Sequence, residues 1–364
     1  MAEFRMPSLG AGMEAGILAE WLVQPGAKVK RGDLIAVVET QKGAIDVEVF
    51  ETGTVTRFLV APGTEVPVGT PLALIDTGAA APTPAAPAQV APAPATQRAQ
   101  VSPAARRRAE ELGVDTAKLA AKLGGEVGIA DVERAASKAP AAGIRPGMRE
   151  AIAAAMAQSK REIPHYYLSV QLDFSAALDR LRVLNAALPV PERIVYGVLL
   201  VRAVALTVKR FPDFNGYFRN GQFEPSPRAN VGVAISLRQG GLVAPALHDV
   251  DSKDLTTLMR EFMDLVSRVR SGHMRSSEVA EPTITVSSLG EQGVDAVYPI
   301  IYPPQVAIVG FGTVVERPWA KDGQVAARRV LTATLAADHR VSDGHRGALF
   351  LDHLRKLLVD PERL

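Results

Sequence analysis

The sequence predicts a multidomain chain: an all-β module first, then a small helical segment, then a large α/β domain, strung on alanine- and proline-rich connectors. Three observations predict it. The first 77 residues contain an internal repeat at an offset of 37, and 15 of the 23 residues at 78–100 are alanine or proline. The stretch from about residue 147 to 364 alternates helical and strand-like apolar periods. At 364 residues with 47 % apolar content, the chain is long enough for two or three cores.

Composition narrows the function classes. A net charge of +2, with no basic stripe interleaved with aromatics, argues against nucleic acid. No apolar run approaches the length of a membrane span, and the N-terminus lacks a charged-then-apolar secretory layout, so a soluble cytoplasmic protein is expected. Cysteine is absent. That removes disulfides and cysteine metal sites, and any thiol chemistry must use thiols that cofactors or substrates bring.

The repeat pairs Leu22 with Leu59, Val23 with Val60, Pro25 with Pro62, Gly26 with Gly63, Val29 with Val66 and Gly32 with Gly69. Each half reads as short strands punctuated by Pro-Gly and Gly turns, which predicts two similar sheets related by a pseudo-twofold. Between the halves, apolar strand residues (Leu34, Ile35, Val37, Val38) precede Glu39-Thr40-Gln41-Lys42-Gly43-Ala44, and alternating ones (Ile45, Val47, Val49) follow. Lys42 is therefore expected at the tip of a tight hairpin, with Gly43 supplying backbone freedom. A turn lysine alone is a solvated side chain. Set in this symmetric module, it resembles the modified lysine of a lipoyl domain, a flattened β-barrel or sandwich, and the resemblance implies lipoate carried covalently on Lys42. A biotin-carrier domain shares the fold but flanks its lysine with methionines, and none is here. The family more often has Asp-Lys-Ala where this chain has Gln41-Lys42-Gly43.

Residues 78–100 hold too little large apolar surface to order, and their prolines favour extended conformations, so they read as a mobile, semi-rigid spacer. At 101–137, Ser102-Pro103 suits a helix cap followed by proline in the first turn, with helices expected at 104–112 and 129–135. The segment resembles the peripheral subunit-binding domain, a small two-helix fold that docks partner enzymes. Arg106, Arg107 and Arg108 are either contacts for acidic partner surfaces or a solvated helix face. The family's Gly-Arg-Ile is missing, since Gly128 directly precedes Ile129. A second connector spans 138–146.

In the large domain, residues 193–210 and 254–270 have helical apolar spacing, 230–237 alternates like a strand, and residues near 303–314 and 328–337 are strand-like. The last of these breaks into Asp338-His339-Arg340-Val341-Ser342-Asp343-Gly344 and then a helix with the stripe Phe350, Leu351, Leu354, Leu357 and Leu358. This puts an imidazole, which exchanges protons near neutral pH, at a strand-to-helix junction four residues before a carboxylate. Asp343 is well placed to cap the helix. The motif resembles the active-site signature of the dihydrolipoamide acyltransferases, core components of 2-oxo acid dehydrogenase complexes. Phe211-Pro-Asp-Phe-Asn215, Asn230-Val-Gly-Val-Ala-Ile235, Gly241-Leu-Val-Ala-Pro245, Thr285-Val-Ser-Ser-Leu-Gly290 and Pro304-Gln-Val-Ala-Ile-Val-Gly310 extend the resemblance in order.

The resemblance implies an α/β catalytic domain similar to chloramphenicol acetyltransferase, over 147–364. It implies acyl transfer, acetyl most of all, between lipoyl-Lys42 and coenzyme A. A substrate thiol of pKa about 8.5 is mostly protonated at neutral pH, and a base within hydrogen-bond reach removes that handicap. His339 matches the family's histidine. Attack on a thioester needs a donor for the developing oxyanion, and Ser287 aligns with the family hydroxyl, while Ser288 on a strand points the other way. For both serines the alternative is service to strand-end backbone groups. Asp343 is expected both to cap and to support the site. The other histidines (165, 248, 273, 345, 353) read as surface or packing residues. In the family, histidine and hydroxyl come from different chains of a trimer, and trimers build a core of 24 or 60 subunits; a 2-oxo acid decarboxylase and dihydrolipoamide dehydrogenase are the partners. Two alternatives stay open: a non-catalytic lipoyl-bearing scaffold, and an acyltransferase for a free small molecule. Succinyl, branched-chain and acetoin-derived acyl groups use the same machinery.

Overall fold

The computed structural model describes residues 1–9, 13, 15–40, 43–77, 146–237 and 241–364. Lys42, the expected spacer at 78–100, the expected binding domain at 101–137 with its three arginines, and all but the last residue of the second connector lie outside these residues.

The N-terminal module has eight described strands: β1 (Ala2–Arg5), β2 (Ala15–Trp21), β3 (Lys28–Val29), β4 (Leu34–Thr40), β5 (Gly43–Glu48), β6 (Gly53–Phe58), β7 (Thr64–Pro67) and β8 (Pro71–Asp76). One sheet runs β1-β8-β6-β3 and the other β5-β4-β2-β7, so the repeat appears strand for strand as a pseudo-twofold. The repeated glycines sit at left-handed φ in both halves, Gly26 at 93° and Gly63 at 84°, where a Cβ would strain the Pro-Gly turn. Trp21 and Phe58, equivalent in the repeat, stack with ring centroids 4.0 Å apart. Alternate strand residues, among them Leu18, Val38, Ile45, Val55 and Leu72, fill the core between the sheets.

The large domain comprises α1 (Pro146–Glu162), β9 (His165–Asp173), α2 (Ser175–Ala186), α3 (Tyr196–Arg210), β10 (Gly216–Arg219), β11 (Gln222–Pro225), β12 (Val231–Val233), β13 (Ile235–Ser236), β14 (Leu242–Val243), β15 (Ala246–Leu247), α4 (Leu255–Ser271), β16 (His273–Arg275), α5 (Ser276–Ala280), β17 (Ile284–Ser288), β18 (Ala307–Phe311), β19 (Val315–Lys321), β20 (Gln324–Asp338) and α6 (Gly344–Val359). Its sheet runs β15-β12-β17-β18-β20, and the long β20 also pairs β19 along its first half and β9 along its second. Strand alternation sends Ile284, Val286, Val309, Phe311, Leu331, Ala333 and Leu335 to one face, where they share a core with α3 and α6. The apolar stripe expected after Asp343 is buried there in full. Burying a side chain such as Phe350 contributes about 1.5–3 kcal/mol.

Several elements differ from the sequence reading, which named no element at α1, β9, α2, β10 or β11. The strand expected at 230–237 is two: β12 stays in the sheet, and Ile235 turns away to pair with Val243 in a hairpin. The helix expected from residue 193 starts at Tyr196, because Val195 holds an extended conformation (φ −87°, ψ 148°) that suits a β-branched residue. Strand β19 was not expected; it forms a hairpin with β20 across Asp322-Gly323, both at left-handed φ.

Candidate active site

Strand β20 delivers the histidine loop. As the strand ends, Asp338 buries its carboxylate completely, and the chain folds back so that Arg340 neutralises it. The Arg340 backbone N–H donates to Oδ1 at 2.9 Å, Nε lies 3.0 and 3.1 Å from the two oxygens, and Nη2 donates to Oδ2 at 2.7 Å. Arg340 also lies over the Phe218 ring, 3.9 Å from its centroid. The N–H groups of Val341 and Ser342 both donate to the Asp338 carbonyl, and that of His339 donates to Pro164 O at 3.0 Å. The loop is pinned at almost every residue.

His339 itself is exposed, and among the described residues its ring nitrogens make no hydrogen bond. Tyr166 meets it edge-on with centroids 5.3 Å apart, and the Tyr166 hydroxyl shares a 2.8 Å hydrogen bond with Ser342 Oγ. Burial pushes the Tyr166 hydroxyl up to about 12, so it stays protonated at neutral pH and acts as a prop.

Asp343 occupies the N-cap of α6, with Oδ1 accepting the Arg346 N–H at 2.9 Å. That hydrogen bond, then the His345 N–H and the charges of His345 and His339, hold its carboxyl below the usual carboxylate range. Asp343 thus both caps the helix and lies within electrostatic reach of His339. Arg346, one turn on, pairs with Asp213 (Nε to Oδ2 2.8 Å) and ties the helix start to the Phe211–Asn215 motif. Asn215 in turn donates to Ser226 O and Arg228 O and accepts from Thr283 Oγ at 2.6 Å, bracing the segment that leads into β17.

Strand β17 carries the serines. With Ile284 and Val286 facing the helices, Thr285 and Ser287 face the opposite side. Thr285 donates to Gln305 Oε1 at 2.8 Å. Ser287 is half-buried and, among the described residues, makes no side-chain hydrogen bond. Ser288 is exposed, and its Oγ accepts the Gly290 N–H at 3.4 Å. Ser288 alone serves strand-end backbone.

Within one chain the histidine and the serine do not meet. Ser287 is in register with Gly310, and Gly310 with Thr334, five residues short of His339 on β20. At about 3.3 Å per residue and about 4.8 Å per strand, the two lie roughly 19 Å apart, at opposite ends of the sheet.

The other histidines are structural or exposed. His165 donates from Nδ1 to Ile163 O (2.9 Å) and accepts the Ile301 N–H at Nε2 (3.1 Å); burial lowers its pKa, so it stands as a neutral tautomer fixed at both nitrogens. His248 lies 3.4 Å from Glu281, His353 packs on Phe211, and His273 and His345 are exposed.

The sequence reading overlooked the supports Asp338, Arg340, Tyr166 and Ser342. Three of them belong to the quoted motif, yet nothing in their order says that Asp338 turns inward. For the lysine hairpin, β4 and β5 close on the Thr40–Gly43 pair, with Thr40 Oγ donating to Gly43 O at 3.0 Å and Gly43 at φ 121°. Only positions 41 and 42 lie between the strands.

Comparison with known proteins agrees. The profile described as 2-oxoacid dehydrogenases acyltransferase (catalytic domain) matches residues 143–364, and the biotin/lipoyl profile described as Biotin-requiring enzyme matches residues 2–75. The dihydrolipoyllysine-residue acetyltransferase component of the pyruvate dehydrogenase complex of Zymomonas mobilis is 28 % identical over 99 % of this chain and 98 % of its own length. The cubic core of the pyruvate dehydrogenase multienzyme complex superposes with a TM-score of 0.56 at 28 % identity, over 59 % of this chain and 90 % of that one. A structure of Azotobacter vinelandii dihydrolipoamide acetyltransferase has the same TM-score of 0.56, 28 % identity and the same coverage of 59 % and 90 %. It comes from crystallographic and enzymatic work on the role of a serine, a histidine and an asparagine in that enzyme's catalytic mechanism, and the same intervals separate Ser287, His339 and Asp343 here. With a lipoyl-type module in front and this catalytic domain behind, the chain belongs to the acyltransferase family of the 2-oxoacid dehydrogenase complexes.

Proposed function

We propose that the chain transfers acetyl groups between a lipoyl group on Lys42 and coenzyme A, as the core acyltransferase of a 2-oxo acid dehydrogenase complex in the cytoplasm. The observation that carries this reading is the exposed imidazole of His339, whose ring nitrogens make no hydrogen bond among the described residues, on a loop fixed by Arg340 gripping the buried Asp338. Lipoate on Lys42 would supply a thioester-forming sulfur on a long arm. His339 takes the proton from the incoming thiol, which raises the thiolate fraction at the reacting position. Asp343, kept charged by its backbone hydrogen bonds, steadies the imidazole as it gains charge. The Ser287 hydroxyl donates to the thioester oxygen as charge gathers there; the adduct then collapses with cleavage of the original C–S bond, and the departing thiolate takes back the proton from His339.

Because Ser287 and His339 are far apart in one protomer, this chemistry needs two copies, with the histidine of one facing the serine of the next. A trimer provides three such sites, and the relatives' cubic core suggests further assembly into a 24- or 60-subunit particle. The domain plan we favour is a lipoyl domain at 1–77, a spacer at 78–100, a subunit-binding domain at 101–137, a connector at 138–146 and the catalytic domain at 147–364. A 2-oxo acid decarboxylase and dihydrolipoamide dehydrogenase are the partners this plan serves. The test is acyl transfer from acetyl-coenzyme A to free dihydrolipoamide: the intact chain transfers, and His339→Ala falls by about 10²–10⁴-fold while the oligomer stays assembled. Unchanged turnover in that variant overturns the assignment.

A further inference from the structure

The edge of the lipoyl module is occupied by the catalytic domain. Strand β16 adds to β5 in parallel, with His273 opposite Ala44, Met274 opposite Ile45 and Arg275 opposite Asp46. This makes the second sheet of the module five-stranded, β16-β5-β4-β2-β7. At the end of the ladder, the Glu48 N–H donates to Ser276 Oγ at 3.1 Å, and Glu48 Oε2 accepts the Ser277 N–H at 3.1 Å. Val279 packs against both cores, and Met274 and Ser276 are buried, at 2 % and 1 % exposure. At the other end, Gly43 faces the carbonyl of Gly272.

The catalytic side of this contact is built independently of the module. Gly272 at φ 87° ends α4 and turns the chain straight into β16. Arg268 on α4 forks onto Glu278, whose Oε2 also accepts the Arg275 N–H at 2.9 Å. Strand β16 is thereby held extended from within the catalytic domain, and β5 is its strand partner among the described residues. The choice of module edge is also specific. The pseudo-twofold makes β1 the counterpart of β5, both outermost in their sheets, yet it is β5, beside the lysine hairpin, that is paired. An edge strand is a ready template for one more strand, with main-chain bonds giving affinity and flanking side chains giving choice.

We propose that β16 and α5 form a docking station for the chain's own lipoyl domain, holding the lysine hairpin on the catalytic domain between visits to partner enzymes. This rests on the lipoyl reading of the module. While docked, one side of the hairpin is covered, so undocking must precede any visit. The station competes with partners for the same arm, at the high effective concentration a tether gives.

The chain has no cysteine, so Ala44→Cys with His273→Cys introduces the only two thiols. Directly paired strand positions lie about 4.8 Å apart, within reach of dibromobimane, which joins two thiols irreversibly and fluoresces only when both react. The expected result, in the full chain with its lipoyl group oxidised, is intrachain bridging about tenfold faster than for Ala44→Cys with Val325→Cys, a distant exposed control. Adding Glu48→Lys to the first pair slows bridging severalfold. The bridged chain, reconstituted with its partner enzymes, loses overall turnover by about tenfold or more, while transfer to free dihydrolipoamide stays within about twofold, the reactants there needing no arm. Bridging no faster than the control, or full overall turnover after bridging, overturns the docking station and leaves the acyltransferase reading intact. Failure of the unbridged parent chain to acylate free dihydrolipoamide overturns the acyltransferase reading instead.

Discussion

Ser287 and His339 stand at opposite ends of one sheet, linked through the register Ser287–Gly310–Thr334 and separated by the last residues of β20. On the proposed mechanism, a hydroxyl and an imidazole so placed share a thioester across a subunit boundary. Chains carrying Ser287→Ala and chains carrying His339→Ala, each inactive alone, should therefore complement when unfolded and reassembled together. In a mixed trimer, about one site in three pairs an intact histidine with an intact serine. Transfer to free dihydrolipoamide should return to a substantial fraction of that level. No recovery would mean that both groups act within a single chain.

The two serines of β17 separate the oxyanion role from a packing role. Ser287 is half-buried and its hydroxyl makes no hydrogen bond among the described residues, whereas Ser288 is exposed and occupied by the Gly290 N–H. Ser287→Ala should lower kcat by about 10²–10³-fold with KM little changed, the mark of a donor used only as charge develops. Ser288→Ala should stay within about threefold. Steady-state kinetics with acetyl-coenzyme A and dihydrolipoamide decides between them. Equal losses in both variants would point to the strand end as a unit.

Much of this was legible in the sequence because the signals are local or symmetric. The 37-residue repeat dictated two equivalent sheets, down to the Trp21–Phe58 stack at matching positions. The stripe after Asp343 has one helical solution, and it is buried as its spacing requires. The break at Ala234 was not legible: its N–H bonds Val286 O, while Ile235 pairs with Val243, a choice set by long-range partners and not by alternation. Strand β19 was overlooked although Asp322-Gly323 is a strong hairpin turn, because Arg317, Trp319 and Lys321 alternate without a buried face. At the site, the residues proposed to bear chemistry lie in recognisable motifs. Their supports do not: only the fold brings Tyr166 to His339, or Asp213 to Arg346.

Asp343 joins a cap to a charge, and two substitutions separate them. Asparagine caps about as well as aspartate, so Asp343→Asn should keep Tm near the parent value while removing the charge that faces His339, and should lower kcat. Asp343→Ala should lower both. The sign of the pH dependence follows from the depressed carboxyl. Its stabilising contribution is complete above the ordinary carboxylate value of 3.8 and disappears only as pH falls through the lower folded-state value. The gap in Tm between parent and Asp343→Ala should therefore be constant from about pH 5 to 8 and shrink only in more acid solution. A gap that opens or closes near neutrality would assign the effect to a histidine.

The Asp338–Arg340 pair is where stability and catalysis meet. Asp338 is fully buried, and Arg340, with a third of its side chain exposed, is the only cation on it among the described residues. Arg340→Ala strands a buried carboxylate and should cost about 3 kcal/mol, the low end for breaking a buried pair because water reaches the arginine side. Adding Asp338→Asn should restore part of that stability in urea unfolding, since the stranded charge is gone. It should not restore kcat, because the guanidinium fork that folds the loop back and seats it on Phe218 is still missing. Arg340→Lys should fall between, a point charge replacing a fork that grips both carboxylate oxygens. Stability and kcat rising together in the double variant would instead make the pair a structural brace with no part in aiming His339.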